Sequence, residues 1–456
     1  MSKPNVLLVV IDSLRADKFF GTEKTSYTPN FDEMIKNGIY FEQAISSADA
    51  TLLSWAGIFT GRHPFKTGIR SSRFKKLNKN TTTYFDILKK SGYNFYSFLP
   101  ISGKVVGIFP DFENIDCYDT MPRFNMGLDE KIQDFFSSAK KEPWLCYIHS
   151  YNLHFPVLPP HGFNDEKFGI NNYEKQISLI DNSIKKLMES VDLKNTLVIF
   201  TSDHGAYFPT VINNGKKINF ETKGNIQNLT ISVSSKVPKQ LHSIKTKLFL
   251  IIEKIKKKKR LNIINNLDLK PHELRGLLHQ RSNSDNFLFD DLVHVPLLFL
   301  GSGINNNKIV SQQVRLIDLF PTICDLLKIE NPVDIDGKSL VPLIEGKNQE
   351  EFPAYFESSP LVQIKTNDVI GIRTSKYKYF RDRYNPKKRN FLFNLEKDPF
   401  ENNNLANNSK VIEEMENILL QITNNYKFLD DGQTIKNTDN EDTEKIENIL
   451  KKLGYV

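Results

Sequence analysis

The chain has 456 residues, with 61 Lys+Arg against 54 Asp+Glu and a formal net charge of +7. A hydrophobic content of 39% excludes a disordered chain, and the length requires one large globular domain with an appendage. No run approaches the roughly 18–20 apolar residues of a membrane span. Three widely spaced cysteines (Cys117, Cys146, Cys324) exclude a disulfide framework and a cysteine zinc site. A strand-like run from Asn5 leaves no space for a signal peptide, so a cytoplasmic protein is expected.

Residues 6–11 (V-L-L-V-V-I) form a short apolar run rich in β-branched side chains, which predicts a strand buried on both faces. Similar runs lie at 95–99, 144–149, 197–201 and 295–300, and helical patterns at 30–37, 52–59, 82–91, 173–190 and 316–329. The first helix has a start signal in Thr28-Pro29 and a stop in Gly38. This alternation predicts an α/β three-layer sandwich with a mostly parallel central sheet. After about residue 350 come aromatic-rich strands at 369–373, 377–380 and 391–393, a helix at 411–425 and a polar tail. The expected organisation is a catalytic domain at 1–350 and a small α+β subdomain with tail at 351–456.

Residues 206–290 break this rhythm. They hold 16 Lys+Arg and 6 Asp+Glu, a net of +10, and the rest of the chain is near −3. Within the segment, residues 245–260 interleave Leu248, Phe249, Ile251, Ile252 and Ile255 with lysines, a basic amphipathic helix. Two readings stand: a lid drawing in an anionic substrate, polymer or lipid surface, or a lysine-rich solvated helix. Nucleic acid is not expected, since stacking aromatics and a known binding module are missing.

In doubly wound sheets, ligands gather at the carboxyl ends of strands. Asp12 follows the first strand, and Asp203 with His204 follows another, in Thr201-Ser202-Asp203-His204-Gly205. These can converge on one divalent cation. A nucleophile belongs at a helix start, where free N–H groups and the dipole favour an anion. Residues 50–62 (A-T-L-L-S-W-A-G-I-F-T-G-R) fit, with Asp49 or Thr51 at the cap. Thr51 can therefore be read as a nucleophile or as an N-cap.

Together these stretches resemble the sulfatase branch of the alkaline phosphatase superfamily. The resemblance rests on Ile11-Asp12-Ser13-Leu14-Arg15-Ala16-Asp17, on the 50–62 helix, and on the His149 to Pro160 stretch (H-S-Y-N-L-H-F-P-V-L-P-P, which resembles the family's H-x-x-x-P-H-x-P-Y-x-P-P). It continues through Thr201 to Gly205, Asp318-Leu319-Phe320-Pro321-Thr322, Asp336-Gly337-Lys338-Ser339-Leu340 and the Leu392 to Leu405 element. It implies an alkaline phosphatase-like fold and a single-metal ester-cleaving site. Asp12, Thr51, Asp203 and His204 would ligate the cation, with Mn²⁺ or Zn²⁺ favoured and Mg²⁺ or Ca²⁺ compatible. His154 would donate a proton to the leaving group or contact an oxyanion, a buried structural histidine being the alternative. His149, Arg70 and Lys216 would be substrate contacts.

Two departures shape the expected activity. Sulfatases carry Cys or Ser in a C/S-x-P-S-R frame that is oxidised to formylglycine; here Thr51 takes that position and Trp55 the Arg position. Oxidising threonine gives a ketone, so the gem-diol route is closed. Ser13 follows Asp12, where sulfatases have a second acid. In this superfamily a threonine nucleophile resembles phosphodiesterases and phosphotransferases. The expectation is a phosphate ester hydrolase or transferase, of phosphodiester or phosphonate type, acting through a metal-bound threonine alkoxide and a covalent intermediate. The alternatives are a sulfuric ester hydrolase acting on a sulfated saccharide or small molecule, and a non-catalytic family member.

Overall fold

The computed structural model describes residues 3–69, 77–78, 80–104, 106–154, 157–158, 160–213, 215–220, 255, 258–265, 267–278, 287–332, 334–358 and 368–423. Arg70 and most of the 245–260 stretch lie outside them.

Three apolar runs form the centre of the main sheet: β1 (Asn5–Ile11), β5 (Trp144–Ser150) and β6 (Thr196–Thr201). Every residue of all three is buried. Around them stand β2 (Ile39–Ile45), β3 (Asn94–Pro100), β4 (Tyr118–Asp119), β9 (His294–Gly301) and β10 (Lys308–Val310), in the order β10-β2-β9-β6-β1-β5-β3-β4. β11 (Val314–Arg315) adds to β2. β9 runs antiparallel to both its neighbours, and the remaining pairs are parallel, as expected of a mostly parallel α/β sheet.

Side chains alternate across a strand, so β1 feeds two cores. Val6, Leu8 and Val10 join Trp55, Phe59 and Tyr147 on one face, and Leu7, Val9 and Ile11 join Phe31, Ile177 and Ile180 on the other. Each such fully buried aliphatic side chain contributes about 1.5–3 kcal/mol. The helix Thr51–Thr60 lies on the first face and is buried on nearly all sides. It ends at Gly61, whose left-handed φ of 64° lets its N–H reach Gly57 O at 2.9 Å.

Two elements differ from the sequence reading. β2 has Glu42 and Gln43 mid-strand, which hid it; a register shift between Phe41 and Ala44 accommodates them. The 316–329 pattern is a 3₁₀ turn, Leu316–Asp318, followed by the helix Leu319–Leu326. Pro321 has no N–H to give to Ile317 and is confined to the first helical turn.

A second, antiparallel sheet comprises β12 (Ala354–Glu357), β13 (Val369–Arg373), β14 (Tyr377–Asp382) and β15 (Phe391–Asn394). One face packs on Leu288, Phe289 and Val293, the other on Met415 and Leu419 of the helix Ser409–Thr423. Glu357 bridges Ala48, which brings this sheet beside the start of the Thr51 helix. In the basic segment, β7 (Thr210–Asn213) and β8 (Lys216–Asn219) form a hairpin, and the helix Pro271–Leu278 follows. Arg275 of that helix pairs with Asp291 at 2.7 Å, and Asp291 also meets Arg15. Among the described residues no helix is long and apolar enough to cross a membrane.

Candidate active site

Strand register assembles the site. Val10 of β1 is level with His149 on one side and Thr201 on the other. Two residues further on, Asp12 and Asp203 leave adjacent strand ends at the same height. Both carboxylates are fully buried, as is His149. Asp12, His149 and Asp203 bring ligand atoms within 4.8 Å of one another.

Thr51 enters from the adjoining helix. Ala50 is the N-cap, no side chain caps the helix, and Thr51 is its first residue. The N-cap alternative for Thr51 is therefore excluded. Its Oγ1 lies 3.2 Å from Asp12 Oδ2 and 3.4 Å from His204 Nε2.

The Asp203-His204 loop is held from three directions. Ser46 and Ser54 donate to Asp203 O at 2.5 and 2.6 Å. The Ser13 and His204 N–H groups donate to Asp203 Oδ1 at 3.3 and 3.0 Å. Gly205 donates to Leu292 O at 2.8 Å, and a Cβ at this glycine would collide with Asp291 O. His204 Nδ1 sits 2.7 Å from Gly205 O. A carbonyl accepts only, so Nδ1 carries the proton and Nε2 keeps a lone pair facing Thr51.

His149 has the opposite tautomer. Trp55 Nε1–H donates to Tyr147 OH at 2.8 Å and also lies 3.3 Å from His149 Nδ1. Tyr147 OH stands 2.6 Å from the same Nδ1. Burial pushes the Tyr147 phenol well up, so it stays protonated and donates. Nδ1 must then accept, and the His149 proton sits on Nε2, 3.4 Å from Asp12 Oδ2. Burial raises the Asp12 pKa, but the electrostatic influence of the neighbouring His154, the hydrogen bond from His149 and the nearby imidazoles of His204 and His149 outweigh it. Asp12 is held well below the usual carboxylate range.

His154 is buried at the same wall and stacks on Tyr151 with centroids 4.6 Å apart. Lys216 is exposed on β8, and the described contacts do not join it to the cluster. Sequence order suggested otherwise because Lys216 follows Asp-His-Gly closely, yet the β7–β8 hairpin turns it outward. Tyr147 and Trp55 escaped sequence reading because both lie in apolar patterns that read as core.

A divalent cation fits these donors. Asp203 Oδ2 is buried without a hydrogen-bond partner, with His204 Nε2 at 3.5 Å. Two buried carboxylates side by side repel unless a cation joins them. Asp12, Asp203, His204 Nε2 and Thr51 Oγ1 offer open lone pairs. The protonated Nε2 of His149 does not.

Residues 4–329 match the sulfatase family profile, and residues 279–427 match the profile described as N-sulphoglucosamine sulphohydrolase, C-terminal. Arylsulfatase K of Mus musculus is 24% identical over 438 residues, covering 88% of this chain and 76% of its own. Delta 4,5-hexuronate-2-O-sulfatase of Bacteroides thetaiotaomicron is 24% identical over 437 residues, covering 90% and 85%. The solved structure of a 2-O GAG sulfatase superposes with a TM-score of 0.65 at 19% identity, covering 97% of this chain and 96% of that one. These relatives overturn the expected phosphate ester and phosphotransfer chemistry. Sequence reasoning gave most weight to one residue, Thr51, whereas the likeness to sulfatases runs through nearly the whole chain. On the extent of that match, the chain belongs to the sulfatase family.

Proposed function

We propose that the protein hydrolyses sulfate esters of a saccharide, with Thr51 standing where sulfatases carry formylglycine. The observation that carries this reading is the position of Thr51 Oγ1, 3.2 Å from Asp12 Oδ2 and 3.4 Å from His204 Nε2, in a chain of this family. Named relatives act on sulfated saccharides: one is a hexuronate-2-O-sulfatase, another a 2-O GAG sulfatase.

With its hydroxyl proton released to solvent, Thr51 Oγ attacks sulfur, the bond from sulfur to the ester oxygen breaks, and the departing alcohol oxygen takes a proton from His154. Water then attacks the same sulfur and gives one proton back to His154; the bond from sulfur to Thr51 Oγ breaks, hydrogen sulfate leaves and the threonine oxygen is regenerated. Asp12 remains ionised and orients the threonine hydroxyl through its hydrogen bond. The helix start adds N–H groups facing developing negative charge. Asp12, Asp203, His204 and Thr51 would hold the divalent cation, with Mn²⁺ or Zn²⁺ suiting this donor set best. When bound, it supplies positive charge that acidifies the threonine hydroxyl and neutralises sulfate oxygens.

The basic segment would draw a polyanionic saccharide toward the site; Lys216, Lys217, Lys258 and Lys259 are exposed in it. The three cysteines are free and buried, which suits a reducing, cytoplasmic setting.

The test is sulfate release from aryl sulfates and sulfated oligosaccharides by protein loaded with each cation, beside matching phosphate esters. Sulfate release that Thr51→Ala abolishes supports the reading, as does a sulfuryl adduct on the Thr51 peptide by mass spectrometry. Cleavage of phosphate esters alone, or full turnover by Thr51→Ala, sinks it.

A further inference from the structure

Sulfate esters present oxygens that gain charge as the ester bond breaks, and a buried site must meet them with cations. At the arginine position of the C/S-x-P-S-R frame this chain has Trp55. Trp55 is fully buried, and its single polar atom is engaged with Tyr147 and His149. The cation that frame provides is therefore missing from the helix.

Neighbouring cations are engaged elsewhere. Arg15 holds Asp17 through two bonds of 2.8 Å and also pairs with Asp291. Lys18 faces Glu174 at 3.3 Å. Lys216 is exposed on the hairpin.

Arg123 stands beside His154. It is only 3% exposed. Its segment is stitched onto the exit of β5: Tyr151 N–H donates to Pro122 O at 2.7 Å, and Phe124 N–H donates to Asn152 Oδ1 at 2.8 Å. Asn152 is fixed in turn by Gln176 Oε1 at 2.9 Å. Arg123 Nη2 donates to the main-chain oxygen of His154 at 3.4 Å. The guanidinium thus shares a wall with His154. Burial pushes its pKa down and the charge of Asp12 pulls it back, so it lies within the field of the site carboxylate. A guanidinium fork matches two oxygens of a tetrahedral anion.

We propose that Arg123 binds the sulfate oxygens of the substrate, supplying from the β5 wall the cation that Trp55 displaces from the helix. This rests on the sulfate ester reading, so its test is a binding measurement that needs no turnover. Inorganic sulfate is titrated by calorimetry into Mn²⁺-loaded protein, parent and Arg123→Met, with Mn²⁺ affinity measured separately. Arg123→Met should weaken sulfate binding tenfold or more, the scale of one charge-assisted hydrogen bond, and leave Mn²⁺ affinity unchanged. Arg123→Lys should restore part of the loss, because it returns the charge without the fork. If Arg123→Met does not fold, Arg123→Lys carries the test alone, with sulfate affinity between parent and background.

In turnover, KM for an aryl sulfate should rise with the same ranking. The inference is overturned if sulfate does not bind the loaded parent, if the variants bind it as the parent does, or if Mn²⁺ affinity falls in step. A parent that binds sulfate yet cleaves no sulfate ester refutes the proposed function and leaves Arg123 standing as an anion ligand.

Discussion

Tyr147→Phe opens the hydrogen-bonded relay that orients His149. The phenol oxygen receives Trp55 Nε1–H at 2.8 Å and its proton goes to His149 Nδ1 at 2.6 Å. All three side chains are fully buried, so bulk water does not replace the lost hydroxyl. The ring itself stays packed on Phe59 and Phe109, so the cavity term is small. Trp55 Nε1 retains a 3.3 Å contact with Nδ1 and falls back on it, so the substitution costs one hydrogen bond rather than two. The expected loss is about 2 kcal/mol, within the range for a buried polar group deprived of its partner. Urea denaturation followed by Trp144 fluorescence measures it, and Trp55→Phe completes a double-mutant cycle with a coupling of about 1 kcal/mol. Without the hydroxyl, Nδ1 is less firmly held as an acceptor, so kcat should fall with KM little changed. A Tyr147→Phe protein within about 0.5 kcal/mol of the parent, additive with Trp55→Phe, refutes the relay.

Three further outcomes follow from the same geometry. His63 is buried against Phe65 and Tyr355; burial, only partly offset by Asp336, holds its imidazole down at about 3, against 6.5 when unfolded. Between these values the unfolded chain takes a proton that the native state refuses, so stability falls on acidification by up to about 1.4 kcal/mol per pH unit. His63→Phe should flatten that slope in denaturation midpoints read across the window, and equal slopes would contradict it. Gly205→Ala drives a methyl into Asp291 O and should cost at least about 1–3 kcal/mol while weakening Mn²⁺ binding, read by calorimetry. Unchanged Mn²⁺ affinity would mean that the Asp203-His204 loop yields freely. Arg275→Met strips Asp291 of a 2.7 Å partner in a buried network and should cost about 3 kcal/mol by denaturation. Adding Asp291→Asn should recover part of that, and a further loss would be inconsistent with the ion-pair account.

What could be read from sequence was what is local. Asp12 and Asp203-His204 stand immediately after apolar runs, and a run followed by a carboxylate is visible without any partner. The central strands were equally plain, because burial on both faces leaves an unbroken hydrophobic stretch. β2 was hidden by Glu42 and Gln43, whose polarity its bulge absorbs. The His149 relay was hidden more deeply. Tyr147 and Trp55 each satisfy the pattern of a core residue, and only the fold joins their polar atoms, 92 residues apart. Lys216 is close to Asp-His-Gly in sequence, and its side chain on β8 is exposed.

The two departures on the Thr51 helix are physically linked. An arginine at residue 55 would carry a charge into a space enclosed by Phe59, Phe109 and Tyr147, and would need a carboxylate or a bound anion to remain there. Tryptophan keeps that space filled and offers one N–H, enough to fix Tyr147 and, through it, the tautomer of His149. The fixed tautomer aims a proton at Asp12, so a cation held as proposed would rest on Asp12, Asp203, His204 and Thr51. The charge removed with the arginine must then come from another element, and the loop stitched to β5 holds the buried guanidinium of Arg123 on the His154 wall. On that proposal the positive charge comes from the β5 side, beside His154, and not from the nucleophile's helix.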